Sequence, residues 1–109
     1  MTESEFLVQA ETVLDMIEAK MDKLCDDDII DVECKRSGNV LEIEFIRNGS
    51  KIIVNSQAAM QEMWVAARSG GFHYRMAGGK WTDTRHGSEL YEALSQLVTE
   101  QSGGTPVKL

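Results

Sequence analysis

The sequence predicts an α+β fold, a two-layer α/β sandwich with two helices packed on one face of a six-stranded, mainly antiparallel sheet. Two observations carry that expectation. Apolar residues recur with helical period near each end of the chain, and with period two in the runs between. The element order, one helix, a run of strands and a second helix, matches α+β architecture, not alternating α/β. At 109 residues with 42% hydrophobic content and a single proline, Pro106, the chain suits one domain (1–109) with one core.

The first helix is expected from about Ser4 to Leu24. Phe6, Ala10, Val13, Leu14, Ile17, Met21 and Leu24 recur at spacings of three and four and form one apolar stripe. Ser4 is the expected N-cap, with Glu3 and Glu5 near the positive end of the helix dipole. The helix should fade in Cys25-Asp26-Asp27-Asp28, because adjacent aspartates favour caps and turns. Ile30, Val32 and Cys34 then alternate with Asp31 and Glu33, and Leu41, Ile43 and Phe45 with Glu42 and Glu44. Such alternation suits strands buried on one face and wet on the other. Ser37-Gly38-Asn39 and Arg47-Asn48-Gly49-Ser50 read as hairpin turns. Further strands are expected over Lys51–Asn55, Met63–Ala67, Phe72–Met76 and about Lys80–Asp83, punctuated by Gly70-Gly71 and Gly78-Gly79. The second helix should run from about Ser88 to Thr99, capped by Ser88 or Gly87, with Leu90, Tyr91, Leu94, Leu97 and Val98 inward. From about Gln101 to Leu109 a mobile tail is expected.

The net charge of −7 is unevenly placed. Residues 1–33 hold eleven of the eighteen acids and only Lys20 and Lys23 as bases, a net of −9; the other 76 residues carry +2. One end therefore projects a strong negative field. Nucleic acid is an unsuitable partner, since phosphate contacts need clustered Lys and Arg. A cation or a basic protein surface is the natural counterpart. No run approaches the ~20 apolar residues of a membrane span, which argues against membrane association. The first residues carry no basic, apolar leader pattern, and Cys25 and Cys34 make no disulfide framework, so a reducing cytoplasm is the expected location.

The first helix bears a second stripe. At about 100° per residue, Glu11, Asp15, Glu18 and Asp22 fall within roughly 60° of one another, along the helix edge some 120° from the apolar centre. The row continues through Asp26, Asp27 and Asp28 to Asp31 and Glu33. A solvated helix face is the plain reading. Against it, like charges at i,i+4 cost about a few tenths of a kcal/mol each, with little basic relief beyond Lys20 and Lys23. A ridge held under self-repulsion points to a cationic partner. Carboxylates are hard ligands for Ca²⁺, Mg²⁺, Mn²⁺ and iron, and discriminate poorly among them. An open row should hold several cations weakly, with water completing each shell. An EF-hand reading of Asp26-Asp27-Asp28 fails, because the glycine and the terminal glutamate are not in place.

Other chemistry is poorly represented. His73 and His86 are the only histidines and read as polar surface. There is no GxSxG, HExxH or phosphate loop, and neither cysteine sits in an electropositive setting that would activate a thiolate. Trp64 is different. Met63, Val65 and Ala67 share one strand face, so the indole points to the other, near Asn55 and Gln57. A wet indole beside amides is a typical interaction anchor; a core tryptophan in another register is the competing reading.

Taken together, Asn48 through Gln57 (Asn-Gly-Ser-Lys-Ile-Ile-Val-Asn-Ser-Gln), Trp64-Val65-Ala66, Gly70-Gly71-Phe72-His73-Tyr74 and the closing Trp81, Arg85, Gly87 and Leu94 resemble the bacterial frataxin family. The resemblance runs from Ser4-Glu5-Phe6 to Gln101-Ser102-Gly103. It implies the frataxin-like sandwich, weak binding of Fe²⁺ and Fe³⁺ on the acidic ridge, and a role in iron–sulfur cluster assembly. It also implies contacts with the cysteine desulfurase and the scaffold protein, the ridge meeting a basic patch on the desulfurase. Carried over by position, the ridge is Glu11, Glu18, Asp22, Asp27, Asp31 and Glu33, joined here by Asp26 and Asp28, with Asn55, Gln57 and Trp64 on the sheet. Departures occur at Ala19, Lys23 and Ile29, where relatives often carry acids, and at Ala59 and Glu62, where they carry Pro and Gln. The leading expectation is a regulator or adaptor and not an enzyme, monomeric without iron, with other divalent cations competing for its sites. The alternative is a ferroxidase, iron-storage or iron-donor protein that forms iron-dependent oligomers.

Overall fold

Thr2, not Ser4, opens the first helix. Its hydroxyl accepts from the Glu5 N–H at 3.1 Å, and the Glu5 carboxylate accepts from the Thr2 N–H at 3.0 Å, a reciprocal capping box. Helix α1 therefore spans Glu3–Asp26 in the computed structural model, which describes all residues 1–109. Its end is a Schellman turn. Asp28 takes the left-handed conformation (φ 58°) that an aspartate tolerates, its N–H bonds the Cys25 carbonyl, and the Ile29 N–H reaches back to Leu24.

Six strands follow: β1 Val32–Ser37, β2 Val40–Phe45, β3 Lys51–Gln57, β4 Glu62–Ala67, β5 Gly70–Ala77 and β6 Lys80–Asp83. They lie in sequence order in one sheet, and every neighbouring pair is antiparallel. Ile30 and Asp31, expected within the first strand, precede it. The turns are chemically apt: Gly38, Gly49, Gly78 and Gly79 all have positive φ, where a Cβ would strain the backbone.

Helix α2 covers Leu90–Gln101, two residues later than expected, and its cap is Glu89, not Ser88 or Gly87. The Ser88 carbonyl accepts from the Asp83 N–H, and Glu89 bridges Thr82, so the chain stays extended along β6 through Glu89. The Glu89 carboxylate then satisfies the Tyr91 and Glu92 N–H groups. Gln101, assigned to the tail on sequence, is the buried last residue of α2. Beyond it the chain runs back along α2, where Thr99 Oγ1 accepts from the Val107 N–H and Ser95 Oγ from the Leu109 N–H.

The core is one apolar cluster between the helices and the inner sheet face. Phe6, Ile17 and Met21 of α1 meet Leu41, Ile43, Ile52, Val54, Met63 and Val65 of the sheet, and Leu90, Leu94 and Val98 of α2. Each large apolar side chain so buried contributes on the order of 1.5–3 kcal/mol. Phe6 and Trp81 meet edge to face, with centroids 5.9 Å apart, and tie α1 to β6. Two regions remain outside this cluster: the edge of α1 beside β1, and the outer sheet face.

Candidate functional site: an acidic ridge and a tryptophan-bearing sheet face

Strand parity decides what faces the ridge. Val32, Cys34 and Arg36 alternate toward α1, while Glu33, Lys35 and Ser37 face outward. Arg36 thus continues the inward row and reaches the helix edge. Its guanidinium lies 3.0 Å from Glu11, 2.8 Å from Asp15 and 3.7 Å from Glu18, and its Nε donates to the Gly38 carbonyl. The expectation of little basic relief is corrected for this upper half of the row: one cation, only 15% exposed, serves three carboxylates. The signal was legible in the alternation Val32, Cys34, Arg36, which places the third residue on the same face as the first two.

The lower half has no such relief. Asp22, Asp26, Asp28, Asp31 and Glu33 are exposed and form no ion pair; Asp27 pairs only with solvent-exposed Lys23, at 3.0 Å. Asp26, Asp27 and Asp28 also sit at the negative end of the α1 dipole, which adds to their own field. Burial, followed by the charges of Asp22 and Glu18, pushes the Cys34 thiol up to about 12, so this sulfur stays protonated and unreactive. Glu33 departs from the row: it lies on the outer sheet face, directly opposite Glu44 in register.

Carboxylate oxygen is the donor type iron accepts, and the exposed carboxylates of this row present such oxygens along an open edge. Nowhere do three His, Cys, Asp or Glu side chains converge as a preformed ligand set. The residues expected to bind metal are thus spread along an edge, with Glu11 and Glu18 already engaged by Arg36.

Replacing Arg36 by Gln should lower stability by about 1 kcal/mol at low ionic strength. The loss should shrink near 0.5 M NaCl, where screening over roughly 4 Å takes over the cation's role. Thermal melts at the two salt concentrations check this. A salt-independent loss would assign the effect to the arginine stem and its Gly38 bond.

Trp64 lies on the outer face of β4, as its alternation requires, opposite Asn55 of β3 and His73 of β5, while Gln57 lies opposite Glu62. The indole is held on two sides. Its ring stacks on His73, centroids 4.2 Å apart and planes 6° from parallel, and its Nε1–H donates to Glu62 at 2.9 Å. Glu62, 3% exposed, also accepts from Arg75 at 2.6 Å. Burial alone would raise the Glu62 carboxyl; the bonds from Trp64 and Arg75 and the Arg75 charge outweigh it, so its pKa is lowered. Sequence alone marks Glu62 only as a departure from the family pattern and His73 as plain polar surface. The parity of 62 with 64, and of 73 with 75, is the signal that groups them.

The chain matches a model of the frataxin-like domain over residues 1–104. A protein of Janthinobacterium sp. (strain Marseille), named iron-sulfur cluster assembly protein CyaY, is 66% identical over 109 residues, covering 100% of this chain and 96% of that one. Its namesake from Herminiimonas arsenicoxydans is 64% identical over 103 residues, 94% and 92% of the two chains. Among solved structures, the frataxin of Psychromonas ingrahamii aligns with a TM-score of 0.78 at 32% identity, covering 99% of this chain and 97% of its own. A trimeric frataxin from the yeast Saccharomyces cerevisiae, complexed with ferrous ion, has a TM-score of 0.73 at 24% identity over 86% and 85% of the chains, a likeness of fold. Six antiparallel strands under two helices, and a family domain covering all but the last five residues, lead to one conclusion: the chain belongs to the frataxin family.

Proposed function

We propose that this chain is an iron-binding regulator and adaptor of iron–sulfur cluster assembly. It holds Fe²⁺ or Fe³⁺ weakly on the acidic ridge and docks that ridge on a basic patch of the cysteine desulfurase. Trp64, with Asn55 and Gln57, supplies a second anchor toward the assembly complex and its scaffold protein. The relatives' names support the pathway. The observation that carries the mechanism is the uncompensated stretch from Asp22 to Asp31, five exposed carboxylates with one exposed lysine as their only ion-pair partner. A negative surface of this kind speeds encounter with a basic one. Cations bound on it reduce that field, so iron supply modulates docking.

The test is an anaerobic Fe²⁺ titration followed by amide NMR shifts, with and without the desulfurase. Shifts concentrated between Asp22 and Glu33, overlapping the desulfurase footprint, are expected. Glu11 and Glu18 should respond less, since Arg36 already occupies them. Iron shifts elsewhere, or none, would leave the ridge as a protein-docking surface without a metal role.

A further inference from the structure

The outer face of β4–β6 has a charge pattern opposite to that of the ridge. His73 and Arg75 of β5 and Lys80 of β6 share this face by register, and all three are exposed. Arg85, His86 and His73 line one cleft together with Asp83. The carboxylates nearest His73, Arg75 and Arg85 are Glu62 and Asp83, whereas Lys80 also borders a cleft with half-buried Glu89 and exposed Glu92. Glu62 is buried beneath Trp64 and Arg75, and Asp83 is buried with its carboxylate accepting from the Arg85 and His86 N–H groups.

Glu62 gives this face its order. One of its oxygens takes the indole N–H, the other takes Arg75, and His73 Nδ1 stands 3.6 Å away. The carboxylate is therefore neutralised locally, and the face can lose water without stranding a buried charge. Arg75 uses one terminal nitrogen on Glu62 and remains 58% exposed; His73 is 47% exposed. A rigid aromatic plane thus stands beside donors that still lack acceptors.

We infer that the Trp64 face is a docking surface for an acidic protein segment, with Glu62 as the positioning residue for the indole. The inference rests on the reading of Trp64 as a docking anchor and adds the chemistry of what it takes. An aromatic anchor rimmed by cations suits carboxylates presented on a folded or extended peptide. Nucleic acid is a poorer occupant, since this face offers only Arg75, Lys80 and Arg85 and no clustered row of Lys and Arg for successive phosphates. The molecule is thereby two-ended: the ridge takes a basic partner and the sheet face an acidic one.

The experiment uses the full, ¹⁵N-labelled chain with acetylated hexaglutamate and hexalysine peptides as probes. Hexaglutamate should shift the Trp64 indole N–H and the amides of His73, Arg75 and Arg85, while hexalysine shifts residues between Asp22 and Glu33. Arg75→Glu should weaken hexaglutamate binding roughly tenfold. Glu62→Ala should broaden and displace the indole signal, and Glu62→Gln, which keeps an acceptor, should restore it; a role confined to fold stability would not produce that rescue. Hexaglutamate shifts scattered over Lys20, Lys51 and Lys108, absent shifts, or an unaffected Arg75→Glu variant would overturn the inference. Peptide-independent self-association through this face would overturn it too. Trp64→Ala, assayed against the scaffold protein, separates the two readings. Lost scaffold binding alongside an inert hexaglutamate keeps the anchor and ends the acidic-partner inference. Retained binding ends both.

Discussion

Replacing Asp22, Asp27 and Asp31 together by lysine should lower affinity for the cysteine desulfurase by about 100-fold or more, mainly through slower association. Each reversal changes local charge by two, and all three residues are exposed, so the fold tolerates the change. Only the Lys23–Asp27 pair is lost within the molecule. Reversal at Glu11 or Asp15 should weaken docking less, because Arg36 already offsets their charge. Stopped-flow association at about 50 mM and 300 mM salt checks the mechanism, since the wild-type advantage must fade as screening grows. An unchanged affinity in the triple variant, with circular dichroism showing it folded, would end the ridge-docking reading.

The largest stability effect is expected away from the ridge, at Gln101. This side chain, 2% exposed, donates to Ser50 Oγ at 3.0 Å and to the Lys51 carbonyl at 3.2 Å, and accepts from the Arg68 N–H at 3.0 Å. Its own carbonyl accepts from Asn48 at 2.8 Å. One residue thus ties the end of α2 to the β2–β3 turn and to the β4–β5 turn. Gln101→Leu fills similar volume and keeps the backbone bond from Asn48, but leaves Ser50 Oγ, the Lys51 carbonyl and the Arg68 N–H without this partner, at about 2–4 kcal/mol. In a domain of this size that corresponds to a fall in Tm on the order of 10–20 °C. Urea and thermal unfolding measure it; a loss below about 0.5 kcal/mol would mean that water replaces the lost bonds.

Much of this protein is local in origin. The α1 stripe, the alternation of β1 and β2 and the Gly-containing turns are short-range patterns, and short-range patterns determine element type and buried face. The row Glu11, Asp15, Glu18, Asp22 and the outward direction of Trp64 follow from periodicity in the same way. Helix starts were less legible. Thr2 competes with Ser4 as a cap, and Glu89 caps α2 only because Ser88 and Glu89 are held along β6, a contact made by folding.

By itself, then, the sequence determined the fold class, the core faces and the existence of a strongly acidic end. Tertiary structure alone decided which acids are free. Arg36 comes from a strand that folds back beside α1, 21 residues from Asp15, and it divides the ridge into a compensated half and an open half. Structure alone also made Glu62 a buried counter-ion, by pairing β4 with β5 so that Trp64, His73 and Arg75 cover it. The physical reason is the same in both cases. Periodicity assigns a side chain to a face, but an ion pair, a stack or a buried hydrogen bond requires two faces to meet, and only strand order, register and helix docking determine which ones do.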